Sequence, residues 1–239
     1  SWSRQKTDDR YRNVYSAALH PGSGQQEMID TAFLITAFVT MFVVIDPIGL
    51  APLFVALTQG MSDSARRRIA LRATFTGVLI LLAFAAFGEA LLGFIGISMP
   101  AFRVAGGILL FLTALDMLFE RRTKRREDQS EGSEEDHRED PSVFPLAIPL
   151  IAGPGAIASV ILLMGQRPGI EGTVMVLGVT GLVLLIVLGF FMISGPIERA
   201  LGKTGITVVT RLLGMLLAAL SVQFVLDGLA AFGFGPGAG

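Results

Sequence analysis

Six apolar runs, at residues 31–57, 69–95, 100–119, 143–164, 173–194 and 208–232, constrain this chain more than any other feature. A hydrocarbon core about 30 Å thick takes roughly 20 apolar residues per helix, and each run meets that length. Hydrocarbon offers no hydrogen bonds to exposed backbone, so such segments cross as helices. With 52% hydrophobic residues, 16% charged and a mean hydropathy of +0.64, a chain of 239 residues has too little charge to cover a soluble domain. The reading is an all-α polytopic membrane protein with six transmembrane helices.

Several chemistries drop out at once. Cysteine is absent, which removes disulfides and thiolate metal sites. The two histidines, His20 and His137, lie outside every apolar run, so no imidazole ligand or base is available within a span. No metal and no cofactor is expected. The net charge of −1 carries no nucleic-acid signal, and the basic clusters read as topology markers.

Residues 1–27 are polar, and the segment from Met28, MIDTAFLITAF, looks like a natural start. The expectation is a non-native or disordered extension, followed by a first half over 28–119 and a charged linker over 120–142. A second half over 143–234 and a tail over 235–239 complete the chain. The linker joins a basic block to an acidic one and has no apolar residue between Lys124 and Asp140. Loops one, three and five carry Arg66 to Arg68, Arg121 to Arg126, and Arg199 with Lys203. The bias of positive charge puts these loops in the cytoplasm and both termini outside, against the four cations Arg4, Lys6, Arg10 and Arg12 of the extension.

The first span, FVTMFVVIDPIGLAPLFVALT, holds Asp46, Pro47 and Gly49 in its middle. A helix broken there needs neighbouring protein or a water-filled cavity to satisfy its freed backbone groups. The two halves of the chain also resemble each other. VIDPIGLAP matches LIAGPGAIA, setting Pro47 over Pro154; Gly93 to Ile97 matches Gly202 to Ile206, setting Glu89 over Glu198; Arg103 to Gly106 matches Arg211 to Gly214. All three fall at nearly one offset, which points to a duplication. Three spans is an odd number, so the second copy enters from the opposite side, giving two inverted-topology three-helix repeats. The first and fourth helices are then the broken pair.

The motifs IDPIGLAPLF and PLAIPLIAGPGAI, set in six spans and two halves, resemble the MarC family of bacterial inner-membrane proteins, which is grouped with LysE-type exporters. The resemblance runs from Met28 to about Phe232. It implies a multi-pass inner-membrane protein and names no substrate.

Asp46 comes about 15 residues into its span, roughly 22 Å along the axis and near the midplane. It can bind a cation or cycle a proton; it can equally cap the second half-helix by accepting from backbone N–H groups just past Pro47. Gly153, Pro154 and Gly155 free carbonyls before a break and a positive helix end after it, suited to a substrate's charged groups. Their plainer use is close packing through Ala152, Gly155, Ala156 and Ser159. Glu89 with Arg103, and Glu198 with Arg211, are placed to clamp each hairpin as ion pairs, or to act as gates on the two membrane faces. Asp116 and Asp227 fit interfacial solvation, while Gln223 and Thr113 add polar surface to the interior.

These features fit a secondary transporter or exporter of a small molecule, with protons coupled through Asp46. A passive channel differs only in lacking a gate cycle. There is no phosphate-binding loop for ATP, and no histidine to serve a serine nucleophile. Asp46 before proline and Asp227 before glycine make a poor aspartyl pair, so no enzyme is expected. The alternative is a non-transporting membrane scaffold or assembly protein, for which Asp46 serves folding alone. The expected partners are the lipid bilayer and a small-molecule substrate; small-residue helix faces leave room for a homo-oligomer without requiring one.

Overall fold

The structure, a computed structural model, describes residues 23–121 and 141–234. The expectations for residues 1–22, for 122–140 and for the tail lie outside the described residues. Two compact units divide the chain, Ser1–Thr36 and Ala37–Gly239. In the first, the described residues are the opening turns of a helix, where Thr36 Oγ1 donates to the Ala32 carbonyl at 3.0 Å. The core and both breaks belong to the second.

Eight helices follow in order among the described residues: α1 (Ser23–Ile45), α2 (Pro47–Leu57), α3 (Asp63–Ile95), α4 (Met99–Leu118), α5 (Ser142–Ile151), α6 (Pro154–Gln166), α7 (Ile170–Met192) and α8 (Ser194–Ala230). Five stretches are long and apolar enough to cross a membrane: Met28–Leu57, Asp63–Ile95, Met99–Leu118, Ile170–Met192 and Arg199–Ala230. The pair α5 and α6, bent by 52°, makes a sixth when the two are taken as one broken span. These are the six expected spans, broken in the expected two places.

Local chemistry sets the boundaries. Ser62 and Ser98 cap α3 and α4, their hydroxyls accepting from Ala65 N at 3.4 Å and Ala101 N at 3.3 Å. Gly96 closes α3 at φ 84°, a left-handed position that glycine takes without strain. One boundary departs from expectation. Residues 195–207, read as a loop, are helical, because the chain turns at Ile193 and resumes at once in α8. The interruption falls inside α8 at Gly202, with φ 60° and ψ 173°.

Packing is close because glycines let helices approach. A β-carbon at Gly77 would meet Ile151 and one at Gly88 would meet Ile161, so α3 runs parallel to the α5–α6 segment. One at Gly106 would meet Leu162, and one at Gly155 would touch Leu110, so α4 runs antiparallel to α6. α4 and α8 form the closest pair, also antiparallel: Gly107 lies against Ser221 and Val225, and Gly228 against Pro100 and Val104. α2 packs on α7 and α8, while α5 and α6 pack on α3, so the first span of each half leans on the second span of the other.

Phe54, Met41, Leu81, Leu110, Leu162 and Phe191 are fully buried between these helices, while Phe75, Phe87, Phe94 and Leu185 face outward. An outward apolar surface suits hydrocarbon, where helix association rests on packing rather than on expulsion of water. A β-carbon at Gly107 would stand 2.8 Å from the Ser221 carbonyl oxygen and one at Gly228 would stand 3.0 Å from that of Pro100, and backbone cannot swing aside. Gly107→Ala and Gly228→Ala are therefore expected to destabilise by about 1–3 kcal/mol. Gly178→Ala, where a β-carbon would meet nothing within 4 Å, serves as the control. Thermal unfolding of the purified proteins in detergent checks this: the first two lose several degrees in Tm and the control does not.

Candidate functional site

The α1 hydrogen-bond ladder runs as far as Asp46, whose N–H donates to the Phe42 carbonyl at 2.8 Å. There the backbone flips to φ 59°, ψ 67°, a left-handed conformation that an aspartate tolerates better than most residues. Pro47 has no N–H to satisfy, and its ring suits the first turn of a new helix. Gly49 N donates to Asp46 Oδ1 at 3.0 Å, and Leu50 N to the Asp46 carbonyl at 3.0 Å. Asp46 thus terminates one helix and caps the next while being 1% exposed. The expected capping role is present in the geometry. Gly49 is constrained by the same contact, since a β-carbon there would run into the Asp46 carboxylate.

The second break is built differently. Phe144 and Ile148 adopt extended conformations within α5, near φ −124°, ψ 128° and φ −125°, ψ 123°. Each precedes a proline, Pro145 or Pro149, and the proline ring pushes the preceding residue out of the helical region. The two extended residues interrupt α5, and at its end Ala152 N donates to the Ala147 carbonyl at 2.9 Å. Gly153, with its β-carbon position only 2.5 Å from the Pro149 carbonyl oxygen, then starts α6 without any side-chain cap. Pro154 is exposed and Gly153 and Gly155 are half-buried. The α6 N-terminus therefore keeps its positive end uncovered by a side chain, in contrast to the capped start of α2.

The two breaks meet. A β-carbon on Gly155 would lie 3.1 Å from Val44 Cγ1 and 3.7 Å from Thr113 Oγ1, placing the α6 start beside the turn of α1 that leads into Asp46. Thr113, expected to add interior polarity, is at this junction, and its hydroxyl donates to the Leu109 carbonyl at 2.9 Å. One turn before Val44 is Thr40, and one turn after Gly155 is Ser159. Both are 0% exposed, and their hydroxyls have no hydrogen-bond partner among the described residues. A buried helical hydroxyl ordinarily donates to the carbonyl four residues back, so these two are the polar atoms near the junction that protein leaves unused. In the sequence Ser159 belongs to a packing face and Thr40 carries no mark, since a lone threonine in an apolar run gives no signal without its neighbours.

The expected ion pairs fare differently. Glu89 is exposed and Arg103 half-buried, and no ion pair joins them; Arg103 Nε is buried without a hydrogen-bond partner among the described residues. Arg211 Nη2 bonds instead to Glu120 Oε1 at 2.7 Å, with the two side chains 51% and 43% exposed. A pair so exposed is worth about 0–1 kcal/mol, too little to lock a gate. The side chain of Glu198 lies outside the described residues. Gln223, expected inside, is exposed and its Nε2 donates to Asp227 Oδ1 at 2.7 Å.

The cap geometry makes a stability order at position 46. Asn keeps both the acceptor and the tolerance for a left-handed backbone, so Asp46→Asn is expected to fold with Tm close to the wild type. Asp46→Ala loses about 1 kcal/mol with the cap, and Asp46→Val adds a further ~1–2 kcal/mol for a β-branched residue at positive φ. Thermal unfolding of the three variants in detergent checks the order, and a Val variant as stable as the Asn variant contradicts the assigned cap.

Comparison with known proteins agrees with this architecture. A family model described as MarC family integral membrane protein matches residues 31–232. A UPF0056 membrane protein of Archaeoglobus fulgidus is 40% identical over 200 residues, covering 83% of this chain and 93% of the relative. The Bacillus subtilis UPF0056 membrane protein YvbG is 38% identical over 203 residues, with 83% and 94% covered, and Escherichia coli YhcE is 34% identical over 204 residues, with 85% and 95% covered. No solved structure matches the chain. With a match that takes in both breaks and all six spans, the chain belongs to the MarC family of integral membrane proteins.

Proposed function

We propose that the chain is a secondary transporter or exporter of a small polar molecule, which it binds where the two helix breaks meet. The observation that carries this reading is the juxtaposition itself: a buried carboxylate at one break, an uncapped helix N-terminus at the other, and Val44 packed against Gly155 between them. Discontinuous helices paired in this way are the usual means by which transporters assemble a site near the midplane. Asp46 suits a cationic group or a proton, the α6 N-terminus suits an anionic group, and the Thr40 and Ser159 hydroxyls add neutral hydrogen bonds. Such a set fits a zwitterion of amino-acid size.

The reciprocal packing of the halves supports an inverted repeat, with the first span of each half lying against the second span of the other. Rocking of one half against the other would then expose the junction alternately to the two sides. The resemblance to MarC proteins favours the bacterial inner membrane, and the arginine bias favours both termini periplasmic. The reading assigns no catalytic step to any residue. Neither Glu89–Arg103 nor an exposed Arg211–Glu120 pair supplies a gate in this conformation, so closure falls to the helices themselves.

A scaffold that transports nothing is the second reading, and one observation favours it: the bond from Gly49 N already gives Asp46 a structural task. Metabolite profiling separates the two. Medium and cells are compared for a strain lacking the protein, complemented with wild type or Asp46→Asn at matched membrane abundance. The transporter reading expects at least one compound to shift between cell and medium with wild type and not with the variant. Full complementation by Asp46→Asn with no compound shifted replaces it with the scaffold.

A further inference from the structure

We propose that the cavity between the α2–α3 turn and the α7–α8 junction binds a phosphate-bearing anion. This cavity has a volume of about 860 Å³, and its walls include Arg66, Arg67, Arg68 and Arg199 together with Phe54 and Phe191. Among the described residues of its lining, Asp63 is the acidic one against four arginines. Glu198 precedes Arg199 on α8, and its side chain lies outside the described residues. Arg67, Arg68 and Arg199 have no ion-pair partner among the described residues. Like charges gathered around one cavity repel, and an anion seated among them removes that repulsion.

One of the four arginines is held in place. Arg66 Nη2 donates to Ser194 Oγ at 3.4 Å, and its guanidinium lies 5.8 Å from the centre of the Phe54 ring. Phe54 stacks on Phe191, with centroids 4.6 Å apart and planes at 12°. Ser194 Oγ in turn donates to the Phe191 carbonyl at 3.0 Å. This chain of contacts ties α2, α3, α7 and α8 together and fixes a guanidinium at the cavity wall. A fixed planar fork of donors matches the oxygens of a phosphate, and ordering it beforehand lowers the entropy lost on binding.

The backbone adds to the same field. α8 begins at Ser194 with no side-chain cap, and Gly195 and Pro196 of its first turn line the cavity. A helix start of this kind favours an anion. The cavity is apolar on one side, through Leu71 and Met192, both of which are exposed on the outer surface. A phospholipid headgroup whose chains run down that side and a soluble phosphate ester share the chemistry that the arginines recognise.

The test uses the purified full chain in detergent. Binding is followed by thermal shift and by microscale thermophoresis against phosphatidylglycerol, glycerol 3-phosphate and, as a zwitterionic control, phosphatidylcholine. Saturable binding of phosphatidylglycerol alone identifies a lipid site, and competition by glycerol 3-phosphate identifies a site for soluble esters. In either case Arg66→Gln and the double variant Arg67→Gln/Arg199→Gln weaken binding about tenfold or more, as expected for lost charge-assisted hydrogen bonds. Arg211→Gln, whose residue pairs with Glu120 away from the cavity, does not. The double variant changes only exposed side chains, so it keeps the test valid if Arg66→Gln fails to fold. The proposal is overturned by the absence of saturable binding to both anions, by equal binding of phosphatidylcholine, or by double-variant affinity equal to that of Arg211→Gln.

Discussion

A backbone group in hydrocarbon has no water to turn to, and the Asp46 carboxylate answers that constraint where the first span breaks. Without an acceptor at this point the opening N–H groups of α2 would face a medium in which each unsatisfied group costs several kcal/mol. Asp46 Oδ1 takes the Gly49 N–H, the Asp46 carbonyl takes that of Leu50, and Pro47 has none to offer. The span can therefore be interrupted without losing its place in the bilayer. Everything that depends on two half-helices meeting a second interrupted segment depends first on this cap.

The second interruption solves the same problem by other means. Extended backbone at Phe144 and Ile148, each before a proline, interrupts α5, and a bond from Ala152 N to the Ala147 carbonyl closes its end. What remains at the start of α6 is an uncapped N-terminus. The difference between the breaks is chemical as well as geometric: one presents a carboxylate, the other a positive helix end, and the contact of Gly155 with Val44 brings them together.

Much of this was legible in the residues. Six spans follow from apolar length, and both breaks from Asp46-Pro47 and Gly153-Pro154. The cap follows from an aspartate directly before a proline at a helix start. What escaped had no local signal. The pairing of Arg211 with Glu120 joins residues 91 apart in sequence, and Glu120 is turned toward it by a left-handed backbone at φ 58° that no motif announces. The aligned glycines of the two halves also part company, since Gly96 ends α3 whereas its counterpart Gly205 is inside α8 and Gly202 takes the turn. Glycine marks where a helix can stop, and packing decides where it does. Arg66 and Arg199, read as markers of orientation, acquire a second meaning only when the fold places α3 and α8 on one cavity.

The dual position of Asp46 bears on how such a protein could move. A carboxylate that caps a helix is not inert toward a ligand: a cation or proton that takes up its lone pairs competes with the Gly49 N–H for them. In the proposed transporter, occupancy of Asp46 and the geometry of the break would be coupled through the 3.0 Å bond from Gly49 N. Gly49 makes the coupling tight, because any side chain there would collide with the carboxylate and hold the two apart. The cap at Asp46 is therefore compatible with the proposed ligand role. A cap that a ligand can loosen is a physical link between binding and the angle at which two half-helices meet, and alternating exposure of a buried site needs a link of that kind.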